Sequence, residues 1–138
     1  MGKLIRFGVS MDGELLNGFD KLIEKEGYVN RSEAIRDLIR ERLVEEEWRE
    51  EDEVCGSILL VYDHHKHHLA EKITEMQHDF YKLVISTQHI HMDHDNCMEV
   101  ISIRGKAKQI RDFFNKLRAT TGIKKCDIIK ATFGEKIK

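Results

Sequence analysis

The stretch "LIRFGVSMD" (residues 4–12) alternates: Ile5, Phe7, Val9 and Met11 fall on one side, Arg6, Gly8 and Ser10 on the other. A period of two marks a short strand with one apolar face. One strand cannot stand alone in water, because its backbone donors and acceptors need a partner. The next forty residues supply none. "GELLNGFDKLIEKEG" (13–27) places Leu15, Leu16, Phe19, Leu22 and Ile23 at helical spacing, with Gly27 where a glycine stops a helix. "VNRSEAIRDLIRERLVEEEW" (29–48) opens on Asn30 as N-cap with Glu33 three residues on, and carries an apolar stripe of Ile35, Leu38, Ile39 and Leu43. The nearest partner for the strand is the same strand of a second copy. Two copies would make an antiparallel two-stranded ribbon backed by four helices.

That arrangement, carried by "RFGVS" and "GYVNRSEAIRDLIR", resembles the ribbon–helix–helix family of DNA-binding dimers. The resemblance implies that the paired strands enter the major groove, which admits a two-stranded ribbon. Phe7, Val9 and Met11 would then bury against the helices, and Arg6, Gly8 and Ser10 would face the bases. Arg6 can contact a guanine with both its nitrogens, worth roughly 1–3 kcal/mol of discrimination. Ser10 can donate or accept. Gly8 offers no side chain where many relatives carry a hydroxyl. The start of the second helix, near Asn30–Ser32, would present backbone N–H groups to a phosphate, with Arg31 adding charge.

The chain has 138 residues, enough for one domain or two small ones. Halves of that size are marginal alone, so self-association is expected. The net charge of −2 hides a division. Residues 1–44 are neutral, "EEEWREEDE" (45–53) carries seven acids and one Arg, and residues 54–138 carry 14 basic and 10 acidic groups. The acidic run sets the overall sign, so the sign argues neither for nor against a nucleic-acid partner. No run of 18 apolar residues suggests a membrane span, and "MGKLIRFGVS" has no apolar signal segment. Cys55, Cys97 and Cys126 are odd in number and widely spaced, which reads as reduced thiols in a cytoplasm.

Past the acidic run the pattern changes. "VCGSILLVYD" (54–63), "KLVISTQHIHM" (82–92), "CMEVISIRG" (97–105) and "IKKCDIIKATF" (123–133) read as strands. "HHKHHLAEKITEMQHDF" (64–80) reads as mostly helix, and "KAKQIRDFFNKLRATTG" (106–122) as helix closed by Gly122. The order βαββαβ is that of a ferredoxin-like sandwich, shared by the small-molecule-sensing ACT domains. The fold class is α+β: a βαα unit at 1–48, an acidic linker at 49–53, and the sandwich at 54–138.

All eight histidines lie between residues 64 and 94. His89 and His91 project from one face of a strand, about 6–7 Å apart at the backbone. "DHDN" (93–96) is a turn signal, so this strand and the next form a hairpin. Cys97 shares the face of His91 only if the two pair across a loop of odd length. With four residues in the loop, Cys97 would pair with Met92 and point away. Two imidazoles and a thiolate suit zinc, copper, nickel or cobalt, not magnesium or calcium. A fourth position would take water or a side chain such as His78, near the end of the preceding helix, supplied by this chain or a neighbouring one.

"QHIHMDHDNC" (88–97), preceded by "QHDF" (77–80) and attached to "NRSEAIRDLIR" (30–40), resembles the NikR-type nickel-responsive regulators over nearly the whole chain. The resemblance implies Ni(II), one per chain, bound in a square plane by His89, His91, Cys97 and His78 of a partner subunit in a homotetramer, a dimer of dimers. It implies that Tyr62 and His64 lie near the metal-sensitive helix and that Glu99 supports the ligands by hydrogen bonding. Glu33 and Asp37 match positions that hold a hard cation, and Lys66 a position that reaches the DNA backbone. It implies a cytoplasmic repressor of nickel uptake genes that binds operator double-stranded DNA when loaded. The alternative is the same architecture sensing zinc, copper or cobalt.

Simpler readings apply elsewhere. "HHKHH" (64–68) is most simply a solvated helix start, with a second metal site at His64, His65, His67 and His68 left open. His94, Asp93, Asp95 and Asn96 are read as turn formers, and Cys55 and Cys126 as core thiols. A metal-dependent hydrolase would need a nucleophile–base or carboxylate pair beside the ligands, and none is evident. An antitoxin-like protein would carry a disordered tail rather than regular elements. An amino-acid-sensing ACT regulator would leave the histidine clustering unexplained.

Overall fold

The computed structural model describes residues 2–49 and 52–137. Glu50 and Glu51 of the acidic linker lie outside the described residues. The chain divides into two compact units, Met1–Arg40 and Glu41–Lys138.

In the first unit, residues 2–12 form no regular secondary structure. The strand expected there is not made within one chain, since no second strand is present to complete its ladder. Helix α1 spans Gly13–Lys25; the Asp12 carboxylate caps it by accepting from the Glu14 amide at 2.8 Å. Gly27, at φ +85°, makes the left-handed step that ends the helix. Helix α2 spans Arg31–Arg49. The Asn30 side chain accepts from the Glu33 amide at 2.9 Å, the cap expected from the sequence.

The second unit holds a four-stranded antiparallel sheet in the order β2-β3-β1-β4. The elements run β1 (Glu53–Asp63), α3 (Leu69–Asp79), β2 (Val84–His91), β3 (Asn96–Lys106), α4 (Ala107–Arg118) and β4 (Ile123–Lys130). This is the ferredoxin-like order expected. One sheet face, with Ile58, Leu60, Ile101 and Ile103, packs against Ile73 of α3 and Phe113 and Leu117 of α4. Residues 64–68 are turns, not the helix start expected from "HHKHH". His68 has a left-handed φ of 61°, which interrupts a helix before Leu69. The helix expected over 106–122 ends at Arg118, and Gly122 follows a turn.

Trp48, in the middle of the acidic run, is a core residue. Its indole Nε1–H donates to the Ala131 carbonyl at 3.0 Å, and its own carbonyl accepts from Arg111 at 2.6 Å. The glycine at 56 is required by this packing: an added Cβ would lie 2.4 Å from the Ile129 carbonyl oxygen and 3.2 Å from the indole. No described helix is long and apolar enough to cross a membrane.

Candidate metal centre and DNA-reading face

The β2–β3 hairpin decides whether the metal-ligand set can form. His91 pairs with Cys97 and His89 with Glu99. The loop is therefore 92–96, five residues, and odd as required. Asp93 builds it: its Oδ1 accepts from the Asp95 amide at 2.9 Å and the Asn96 amide at 2.7 Å. These bonds, the Asn96 amide first, hold the Asp93 carboxyl below the usual carboxylate range.

His89, His91, Cys97 and Glu99 consequently share the sheet face that meets the helices, and Tyr62 joins them by pairing with Cys97 from β1. Because β2 is an edge strand, its imidazoles are exposed while Cys97, Glu99 and Tyr62 are buried. The two imidazole rings lie 5.1 Å apart by centroid. Cys97 Sγ donates to the Tyr62 carbonyl at 3.7 Å. The Tyr62 hydroxyl donates to Glu99 Oε2 at 3.1 Å, and Glu99 Oε1 stands 3.6 Å from His89 Nδ1. Glu99 thus links a buried phenol to an imidazole. Burial raises the Cys97 thiol pKa; the phenol side chain of Tyr62 opposes the rise and the Glu99 charge reinforces it. Burial and then Glu99 also raise the Tyr62 phenol. A soft cation binding here must displace the thiol proton.

The donors share a face but their atoms do not converge. Among the described residues, the group of three donors found within 4.8 Å of one another is His65, His94 and Asp95. His78 is exposed near the end of α3, and its side chain has no partner among the described residues. At 100° per residue it lies on the side of α3 opposite Leu69, Ile73 and Met76, which pack inward. Within one chain it therefore points away from the sheet. His64 stacks edge-on to His91 at 5.4 Å, and Lys66 is exposed in the same turn.

In the first unit Arg6, Gly8 and Ser10 are all exposed, and nothing lies within 4 Å of a Cβ built on Gly8. Arg31 is not free: it forms a two-pronged pair with Asp20, both contacts 2.8 Å. Asp37 accepts from the Tyr28 hydroxyl at 2.8 Å and from Arg40 at 2.9 Å, which together hold its carboxyl below the ordinary range. The Glu33 carboxylate has no partner among the described residues. Asp20 and Tyr28 are partners that the sequence pattern does not reveal. Helix spacing gives no signal for contacts between helices or from a loop.

Residues 5–46 match the family model of ribbon–helix–helix proteins of the copG family, and residues 55–131 match that of the NikR C terminal nickel binding domain. A protein of Nitratidesulfovibrio vulgaris (strain DP4), described as a candidate nickel-responsive regulator, is 48% identical over 98% of both chains. Relatives of the same description in Geobacter sulfurreducens and Syntrophus aciditrophicus are each 49% identical, over 99% and 90% of both chains. An uncharacterised protein from Thermotoga maritima, of solved structure, covers 59% of this chain and all of its own at a TM-score of 0.53 and 10% identity, a likeness of fold alone. A ribbon–helix–helix DNA-binding domain joined to a nickel-binding domain defines a regulator, not an enzyme. The chain belongs to the family of nickel-responsive regulators.

Proposed function

We propose that this chain represses nickel uptake genes in the cytoplasm by binding operator DNA when loaded with one Ni(II) per chain. His89, His91 and Cys97 hold the ion, and His78 of a neighbouring copy completes the set in a homotetramer. The reading rests above all on the register of His91 against Cys97, which puts two imidazoles and a thiolate on one face. The outward placement of His78 supports a ligand that crosses between copies. Bound there, Ni(II) supplies a dication that favours thiolate and imidazole donors.

The chain's own groups do the rest. Glu99 orients His89 and is itself fixed by Tyr62. His91, drawn toward Cys97, carries the adjacent His64 with it and so settles the turn 64–68 and the start of α3. That turn presents Lys66 to a DNA phosphate. Residues 1–48 pair with a second copy so that Arg6, Gly8 and Ser10 face the bases. Residues 54–138 bind metal and tetramerise, across the acidic segment 49–53. Glu33 and Asp37 take a hard cation, which must compete with Arg40 for Asp37. Arg31 reaches a phosphate only by exchanging Asp20 for it.

A Ni(II) titration of metal-free protein followed by electronic absorption tests the site. Wild type is expected to develop thiolate charge-transfer bands saturating at one ion per chain, absent from Cys97→Ala. Bands that survive the substitution would remove Cys97 from the site.

A further inference from the structure

Gly8 sits at the centre of the alternation in residues 4–12. The apolar positions 5, 7, 9 and 11 and the outward positions 6, 8 and 10 share it as their midpoint. Nothing in the fold of one chain requires a glycine there. Its φ is not left-handed, unlike those of Gly27, Gly105, Gly122 and Gly134. Nothing lies within 4 Å of an added Cβ, whereas at Gly56 the same atom would lie 2.4 Å from a backbone oxygen. A glycine inside a strand weakens it, so the missing side chain has a cost that packing does not offset. Arg6 and Ser10, two residues to either side, are both exposed.

The proposed ribbon pairs this strand with its copy, antiparallel. A pairing that uses the whole alternation centres on residue 8. Gly8 then stands beside Gly8 of the second copy, and Arg6 beside Ser10 of that copy. Main-chain N–H and C=O groups point along the ladder, within the plane of the ribbon and not out of its face. At the two Gly8 positions the face turned to the groove therefore carries only Cα hydrogens, with no side-chain donor or acceptor. Outward positions on one strand are about 6.7 Å apart. At a rise of about 3.4 Å per base pair, one bare position leaves about two base pairs without a direct contact.

We infer that Gly8 determines specificity by omission: the middle base pairs of each half-site go unread, and base recognition is confined to Arg6 and Ser10 at its two ends. The inference rests on the proposed reading of DNA by the paired strands. The two-fold symmetry of the ribbon puts one Arg6 at each end, so the guanines they contact lie on opposite strands of the duplex. Between them, water and not protein meets the base edges. Water that no side chain holds has no fixed donor or acceptor direction, so it meets all four base pairs alike. A serine at position 8 would bring a hydroxyl that donates and accepts, and would install a preference that wild type lacks. An alanine would bring only a methyl group, which can meet the methyl of thymine.

The test compares full-length wild type, Gly8→Ser, Gly8→Ala and Arg6→Ala, each loaded with Ni(II), with sedimentation velocity to confirm assembly. A duplex enriched by wild type from a random pool is then varied one base pair at a time, and binding is followed by fluorescence anisotropy at fixed salt. For wild type, exchanging the middle pairs should change affinity by less than about threefold, and replacing an end guanine should cost about tenfold or more. Gly8→Ser should discriminate among the middle pairs by about fivefold or more. Gly8→Ala should keep wild-type affinity for the enriched duplex within about threefold. Middle pairs read by wild type as strongly as the ends, or no new preference in Gly8→Ser, would overturn the inference. So would loss of binding by Gly8→Ala with assembly intact, because it would mean that the backbone itself touches the bases. No enrichment by wild type, or an end preference unchanged in Arg6→Ala, would instead overturn the reading of DNA by the strands, and the inference with it.

Discussion

The two units bury their apolar residues differently. In Glu41–Lys138, Ile58, Leu60, Ile101, Ile110 and Phe113 are wholly buried. In Met1–Arg40 only Ile23 and Ala34 are buried among the described residues, while Phe7 is 72% and Val9 62% exposed. The first unit has the pattern of a core without the layer that closes it. The second unit closes its own core with two helices on one sheet face. Alternating apolar residues that stay exposed in a single chain mark a surface for a partner, and the proposed function makes that partner a second copy.

Substitutions that act on one unit and not the other would break or sharpen this contrast. The largest effect is expected from Phe113→Ala, which empties a site between α4 and the sheet. It should cost about 3–5 kcal/mol in chemical denaturation. Phe7→Ala should leave that transition almost unmoved and instead shift self-association toward smaller species by sedimentation velocity. If Phe7→Ala lowered the denaturation midpoint as Phe113→Ala does, with no change in assembly, the contrast would be mistaken.

Tyr62→Phe comes next. It takes a hydroxyl from the buried Glu99 carboxylate and should cost about 1.5–3 kcal/mol, since bonds to charged groups are the stronger ones. The smallest effect belongs to Asp20. Its hydrogen bond to Arg31, followed by the charge of that group, holds its carboxyl below the usual value of 3.8. A depressed carboxylate stabilises the fold above its unfolded pKa, and that contribution is lost as pH falls through the folded value. Wild type should therefore lose slightly more thermal stability than Asp20→Asn between about pH 5 and about pH 2. Both groups are exposed, so the difference should shrink further in high salt.

The order of elements in the second unit is legible in the sequence because each carries a clear period and a turn signal. The ligand face is legible as a condition on loop length, which the Asp93 turn meets. The apolar alternation of residues 4–12 is also legible, but residues 2–12 form no strand in one chain, which offers no second strand to complete the ladder. Trp48 is hidden because composition averages it into an acidic run; its role depends on Gly56 and Ala131, the latter far away in sequence. Arg31 reads as a free cation because Asp20 is on another helix. The histidine turn reads as helix because no propensity signals that His68 adopts a left-handed conformation.

The proposed coupling of nickel binding to DNA binding can be measured by selection from a random duplex pool. Full-length protein, metal-free or loaded with Ni(II), would be used to enrich bound sequences, beside Arg6→Ala and Cys97→Ala. Enrichment of a two-half-site sequence is expected only with Ni(II), and is expected to be lost in both variants. Equal enrichment of the same sequence by metal-free protein, or by Cys97→Ala, would contradict the coupling of nickel to DNA.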